Sequence, residues 1–228
     1  MPTPHETPRA RSAGWSLALV AVPLAFGCSP VRYTEAFHPE DPVTAIRIDV
    51  DEGTVELVPG ARLRVERAIR APEQSLDLRH DVVDGVLVLT ARCTSIIPCA
   101  VDTRVDVPEG LPVTVNLSDG EVWATGVSDL RLALGEGSAD VDIQGRLTAQ
   151  VGTGDVRGRL GADAQARVTV GRGDIDLQVP SGAWRIDATA DRLAISGVQP
   201  DDSAAGSLAL IAPSGLVRVR GELPLAAR

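Results

Sequence analysis

From Val43 onward the chain alternates apolar and polar residues in short runs, and nearly every run ends at a glycine or proline. AIRIDV, TVELV and LRVERAIR come first, with turn signals at Glu52-Gly53 and Pro59-Gly60. SLDLRHDVV and GVLVLTARC follow on either side of Asp84-Gly85, a tight-turn pair. Alternation with period two predicts strands with one buried face. No stretch after residue 27 carries a helical period, so an all-β domain is expected over 43–228. Between Val113 and Arg220 the alternation becomes a repeat. VTVNLSDGEVWAT, LRLALGEGSADVDI, LTAQVGTGDVRGRL, RVTVGRGDIDLQV and a worn LALIAPSGLVRVRG each place a glycine turn between two alternating strands. The turn glycines are Gly120, Gly137, Gly154, Gly173 and Gly215, with first steps of 17, 17 and 19. Arg192 stands where another glycine is expected.

A fixed period with strand-type alternation is the mark of stacked β-repeats. A two-sheet sandwich also has short strands and regular turns, but it does not require turns that repeat chemically. The inward positions repeat as well. Leu117, Leu134, Val151 and Val170 fall three before their glycines, and Val122, Ala139, Val156 and Ile175 two after. Stacking them builds one aliphatic column, each turn rising by about 4.8 Å. The expectation is a β-solenoid, or β-helix, with a narrow interior of Val, Leu, Ile and Ala. With only 3% aromatic residues, no core built on large rings is available.

The segment before the domain reads as an address. Arg9 and Arg11 precede a 13-residue apolar stretch, Trp15 to Gly27, too short to span a bilayer, which takes roughly 20 residues. Residues 1–27 are therefore read as a signal peptide. Its end, Leu24-Ala25-Phe26-Gly27-Cys28, resembles a bacterial lipoprotein signal, which makes Cys28 the lipidation residue. Ser29 after it, rather than Asp, implies the outer membrane; ordinary export to the periplasm or medium and an uncleaved anchor are the alternatives. Residues 28–42, with Pro30, Pro39 and Pro42, read as a tether. Loss of residues 1–27 leaves the remainder one unit more acidic than the whole chain's −9. A net acidic exported domain is a poor ligand for nucleic acid, whose phosphates need clustered cations. All 22 basic residues are arginines, so no lysine base or Schiff base exists.

Cys93 and Cys99 are the remaining cysteines. In an exported protein this spacing predicts a disulfide. Two cysteines do not make a four-ligand zinc site, and His5, His38 and His80 show no metal spacing.

The run from IRIDVDEGTVEL through VDTRVDVPEGLPVTVNLSDGEVWATGV to GTGDVRG and GRGDIDLQVP resembles the bacterial putative-adhesin family, a domain of unknown function in exported and membrane-anchored envelope proteins. The resemblance covers roughly 43–221. It implies a right-handed β-solenoid and carries no catalytic residues. Ala190-Asp191-Arg192-Leu193 departs from the family's Gly-x-Gly-Asp turn.

Arg172-Gly173-Asp174 spells an integrin-recognition tripeptide, but the turn template accounts for it: the glycine permits the turn, and the Asp bonds nearby amides. Calcium β-rolls repeat every nine residues, half the period here, and Ser138 interrupts the acids. The outward acids Asp140, Asp142 and Asp176 belong to regular turns with no long loop to wall a cleft, and no Ser-His-Asp, HExxH or phosphate-loop pattern is present. No enzyme, metal or cofactor is expected. Three residues past the turn glycines stand Trp123, Asp140, Arg157, Asp176 and Arg218; five past stand Thr125, Asp142, Arg159, Gln178 and Arg220. In-register stacking makes Asp140, Arg157 and Asp176, with Asp142 beside Arg159, an outward charge ladder. Trp123 is the candidate ligand contact. The expected function is a non-catalytic envelope surface or binding protein, its partner an envelope protein or polysaccharide, and its contact with the membrane made only through the lipid. An enzyme on envelope polysaccharide and an envelope-stress accessory protein are the alternatives.

Overall fold

The computed structural model describes residues 31–71, 75–94 and 99–222. The expected signal peptide, residues 1–27, and the expected lipidation residue Cys28 lie outside these residues. The described chain is all-β, with twelve strands: β1 Val31–Phe37, β2 Ala45–Pro59, β3 Arg64–Ala71, β4 Leu76–Val83, β5 Val86–Cys93 and β6 Ala100–Val107, then β7 Val113–Leu160, β8 Gln165–Arg172, β9 Ile175–Pro180, β10 Ala183–Ser196, β11 Gln199–Pro200 and β12 Ser207–Glu222.

The 48-residue β7 is several turns of the repeat run together. Its beginning lies parallel on β2, Ile46 beside Val113 and Leu57 beside Ala124, and its end lies parallel under β8 and β9. The corner glycines form a column. A Cβ built on Gly120 would lie 1.8 Å from the Gly53 carbonyl oxygen, on Gly137 1.7 Å from that of Gly120, and on Gly154 1.6 Å from that of Gly137. These rungs approach so closely at the corner that only a hydrogen fits, and φ near +135° there suits glycine as well. Gly53, whose turn was legible but whose place in the series was not, is the column's first member.

All eight expected inward residues are buried, from Val122, Val156, Val170 and Ile175 at 0% exposure to Val151 at 4%. They join one continuous aliphatic core running from Ile46 to Val219.

Strand pairing is mixed rather than parallel throughout. β5 and β6 each pair with one half of β2 and together make one rung. Beyond them lie antiparallel strands: β4 on β5, and β3 then β1 on β6. These strands close the N-terminal end of the stack. The tether expected over 28–42 is therefore a strand across Val31–Phe37. Its Glu35 reaches Arg67, the one fully buried cation among the described residues, whose Nη1 donates to the carboxylate at 3.1 Å while Nη2 donates to the Arg79 carbonyl at 3.0 Å. Phe37 lies 5.8 Å from this guanidinium and stacks on His80. Burial pushes Arg67 below its ordinary pKa, and Glu35 pulls it back up.

The expected disulfide is present, Cys93 to Cys99 with Cα atoms 6.0 Å apart. It ties β5 to β6 at the corner, where Gly53 rests on Val101. Asp51 supports the same corner by accepting from the Cys93 amide at 2.9 Å. Replacing both cysteines by serine is expected to cost about 2 kcal/mol, from the loop entropy returned to the unfolded chain. Urea denaturation of the variant against the parent measures it.

At the C-terminal end the rungs do not follow sequence order. β12 pairs with β8 and β9 on one side and β10 on the other, so the last segment lies between the two that precede it. Gly215 stacks directly on Gly173, its Cβ position 1.8 Å from that carbonyl oxygen. The segment with Arg192 is the terminal rung and not the next one inward. Arg192 pairs with Leu216, one past the corner, so Asp191 and not Arg192 takes the glycine's place. The reason is steric: a side chain at that place has no room in the interior column, and at the end β10 shifts register around Asp191.

Candidate functional site

The strand that leaves each corner glycine presents its third and fifth residues outward. Arg157 pairs in register with Asp176, and Asp176 with Arg218; Arg159 pairs with Gln178, and Gln178 with Arg220. Thr125, Asp140, Asp142, Arg157, Arg159, Asp176, Gln178 and Arg220 line one shallow surface of the stack. The contacts within it are more local than alternating signs suggest. Arg157 bonds along its own strand to Asp155 at 2.9 Å, and Arg159 donates to Gln178 at 3.0 Å. Asp176 takes two arginines, Arg218 at 3.1 Å and Arg220 at 2.8 Å. Asp142 accepts from Gln144. Exposed pairs of this kind contribute about 0.2–1 kcal/mol each. Each oxygen of the Asp176 carboxylate accepts from a guanidinium, so neither is free to act as a general base or nucleophile.

The ladder continues beyond the residues expected from the repeats. Glu66 pairs with Arg104, Arg104 with Glu56, and Glu56 with Trp123. Arg104 bonds Glu56 at 2.6 Å. Trp123 thus takes a place in a row otherwise filled by charge, 46% exposed, at the rim of a groove of about 410 Å³ shared with Thr34, Thr54 and Asp102.

At the corner, Asp155 Oδ1 accepts from the Asp174 amide at 2.9 Å, and Asp174 Oδ1 from the Leu216 amide at 2.8 Å. The Arg-Gly-Asp tripeptide is built into these stacked turns, its Gly under Gly215 and its Asp bonded to the next rung.

A larger depression lies on the other side of the corner. It is a trough of about 870 Å³ that crosses the rungs from Arg47, Asp49 and Arg92 to Thr169 and Gly171. Its floor is the column two residues before the corner glycines: Ser118, Gly135, Gly152 and Gly171. Each is packed against the carbonyl of the rung before, with Cβ positions on Gly135, Gly152 and Gly171 at 2.4–2.6 Å from it. Its wall is the column four before: Asp49, Asn116, Ala133, Gln150 and Thr169. The Asn116 amide donates to Asp49 at 2.5 Å and Arg47 pairs with Asp49 at 2.9 Å, which fixes one end of the trough. The first glycine of each Gly-x-Gly turn carried the signal for this trough, but the sequence read those glycines only as turn chemistry.

No protein-family model and no curated protein matches the chain. Among solved structures it is similar to a putative cell adhesion protein from Clostridium sporogenes, at 12% identity and a TM-score of 0.50 over 85% of this chain and all of that one. A putative adhesin from Bacteroides fragilis, at 14% identity and TM-score 0.40, covers 86% of this chain and 99% of its own. One from Parabacteroides distasonis, at 12% and 0.39, covers 84% and 98%. The last two scores are too low to bear an argument. The first is a likeness of fold alone: this chain is similar in fold to the Clostridium sporogenes protein along that protein's whole length.

Proposed function

We propose that the protein is a non-catalytic surface or binding protein of the bacterial cell envelope, a β-solenoid held at the membrane by lipid on Cys28, which binds an extended polysaccharide along its trough. One observation carries this reading: a depression about 870 Å³ in volume runs across successive rungs, floored by glycine backbone and walled by amide and hydroxyl side chains. A surface with that repeat offers hydrogen bonds at regular steps to a chain-like ligand and encloses no small molecule. Asn116, Gln150 and Thr169 supply donors and acceptors suited to sugar hydroxyls. The similarity to a cell adhesion protein agrees with a surface role. Asp176, held by two arginines, weakens the alternative of a polysaccharide-cleaving enzyme.

The test is retention of the exported chain on immobilised envelope polysaccharide. Gln150→Ala combined with Thr169→Ala is expected to abolish retention, because each removes a donor from the trough wall, while the melting temperature stays nearly unchanged. If Trp123→Ala abolishes it and the trough pair does not, the ligand lies across the ladder face instead. Shortening of the polysaccharide would establish the enzyme. Cell fractionation checks the address: Cys28→Ala is expected to move the protein from the membrane to the soluble fraction.

A further inference from the structure

The terminal rung is left open. Leu193 and Ile195 of β10 pair with Val217 and Val219 of β12, both 0% exposed, so they continue the interior column. Yet Leu193 is 52% and Ile195 37% exposed, since no rung among the described residues covers them. Ile186, Ala188 and Ala190 on the same strand pack against the core from one side and are only partly buried. β11 covers the start of β10, pairing with Ala183 and Trp184. From Arg185 to Ser196 nothing among the described residues pairs with the outer edge of the strand. At the opposite end of the stack β1, β3 and β4 form a cap. The asymmetry calls for an explanation, because an uncovered apolar edge strand is a site for adding another strand.

The geometry points to a second copy of this chain as the occupant, joined end to end through β10 by a two-fold axis. The exposed cross-section is that of a rung of this fold, and another terminal rung has the same outline and the same apolar centre. The uncovered stretch is also complementary to itself. Laid antiparallel about its own midpoint, between Ala190 and Asp191 at the corner, Arg185 meets Ser196 of the second copy. Along the two arms apolar meets apolar, Ile186 facing Ile195 of the second copy and Ala188 facing its Leu193, while at the corner Ala190 meets Asp191. The register break at Asp191 is what permits this. It moves the inward residues from even to odd numbers halfway along, so an antiparallel partner brings inside to inside. On the outer face Asp187 lies diagonal to Arg192 of the second copy, within reach for an ion pair. β10 carries Arg185, Asp187, Asp191 and Arg192, two of each sign, in a chain whose net charge is −9. This rung is therefore a place where two copies meet without the repulsion of their acidic surfaces. A two-fold contact of this kind closes on itself and does not propagate into fibres.

The test is sedimentation of the full chain in detergent, together with oxidation of an Asp191→Cys variant. A dimer is expected. Leu193→Asp and Ile195→Asp should each weaken it by roughly tenfold or more, by placing a carboxylate in the joined core. Leu193 is half exposed and Ile195 partly exposed in the single chain, so the melting temperature of the dissociated protein should fall only slightly. Asp191→Cys should give a covalent dimer on a non-reducing gel, and neither the parent nor Arg131→Cys, at mid-stack, should do so. A parent that sediments as a monomer up to its solubility limit overturns the proposal. So does a dimer that persists in Leu193→Asp and fails to cross-link at residue 191, or a different protein found in stoichiometric amount on the β10 edge.

Discussion

Gly154→Ala is expected to unfold the middle of the stack. The added Cβ would lie 1.6 Å from the Gly137 carbonyl oxygen, and the backbone there, at φ +135°, suits no other residue. Relief cannot come from a side chain moving aside, because the obstacle is the backbone of the neighbouring rung, itself held by Gly120 beneath. The loss should be about 4 kcal/mol or more, at the extreme of single substitutions and comparable with the whole stability of many domains. Gly110→Ala is the control. Its φ is +81°, but nothing lies within 4 Å of the new Cβ, so only the conformational cost of about 1 kcal/mol remains. Thermal and urea unfolding of the two variants should differ by several fold in free energy. Equal losses would mean that φ alone, and not close stacking, selects glycine at the corners.

The second large effect is expected at the N-terminal cap. Arg67 is 1% exposed, and its Nε has no hydrogen-bond partner. Among the described carboxylates, Glu35 alone offsets its charge. Glu35→Ala leaves a buried cation unpaired and should cost about 3 kcal/mol, the lower end of the usual range because the Glu35 side chain keeps 29% exposure. Arg67→Met removes the charge together with its desolvation and keeps most of the volume, so it should cost less than Glu35→Ala. Chemical denaturation of both variants gives the order. The opposite order would show that the guanidinium's bonds to Glu35 and the Arg79 carbonyl outweigh the desolvation of its charge.

The parts of this structure that were legible in the sequence are those set by nearest-neighbour spacing. Gly120, Gly137, Gly154 and Gly173 announce themselves because each rung places its corner on the one before, and the inward Val, Leu and Ile keep step with them. What was not legible depends on contacts that leave the spacing unchanged. The order of the last rungs is such a case. Gly173 to Gly215 is simply two periods with a defective one between, and the text of the chain does not say that the defective rung lies outside. The missing glycine at Asp191 was the available clue, since no interior corner admits a side chain. β1 was hidden by the prolines around it, although VRYTEAF alternates. Arg67 is a subtler case: it shares its phase with Val65, Ile69 and Ala71, so the pattern already places it inward. The residue type suggested otherwise, and only Glu35, brought in by β1, makes its burial tolerable. The trough was missed because a glycine two before the corner reads as part of a turn until rungs are stacked and the missing side chains line up into a channel.

The placement of the final segment between the two before it decides both the open end and the continuity of the outer faces. Methyl-to-methyl NOE spectroscopy on Leu177, Ile195 and Val219 tests it directly. Adjacent rungs bring methyls to about 4.8 Å and next-but-one rungs to about twice that, outside the range of the effect. The predicted result is that Val219 shows contacts to both Leu177 and Ile195, with none between Leu177 and Ile195. A direct Leu177–Ile195 contact, with Val219 touching Ile195 alone, would mean that the rungs stack in sequence order and would contradict the account.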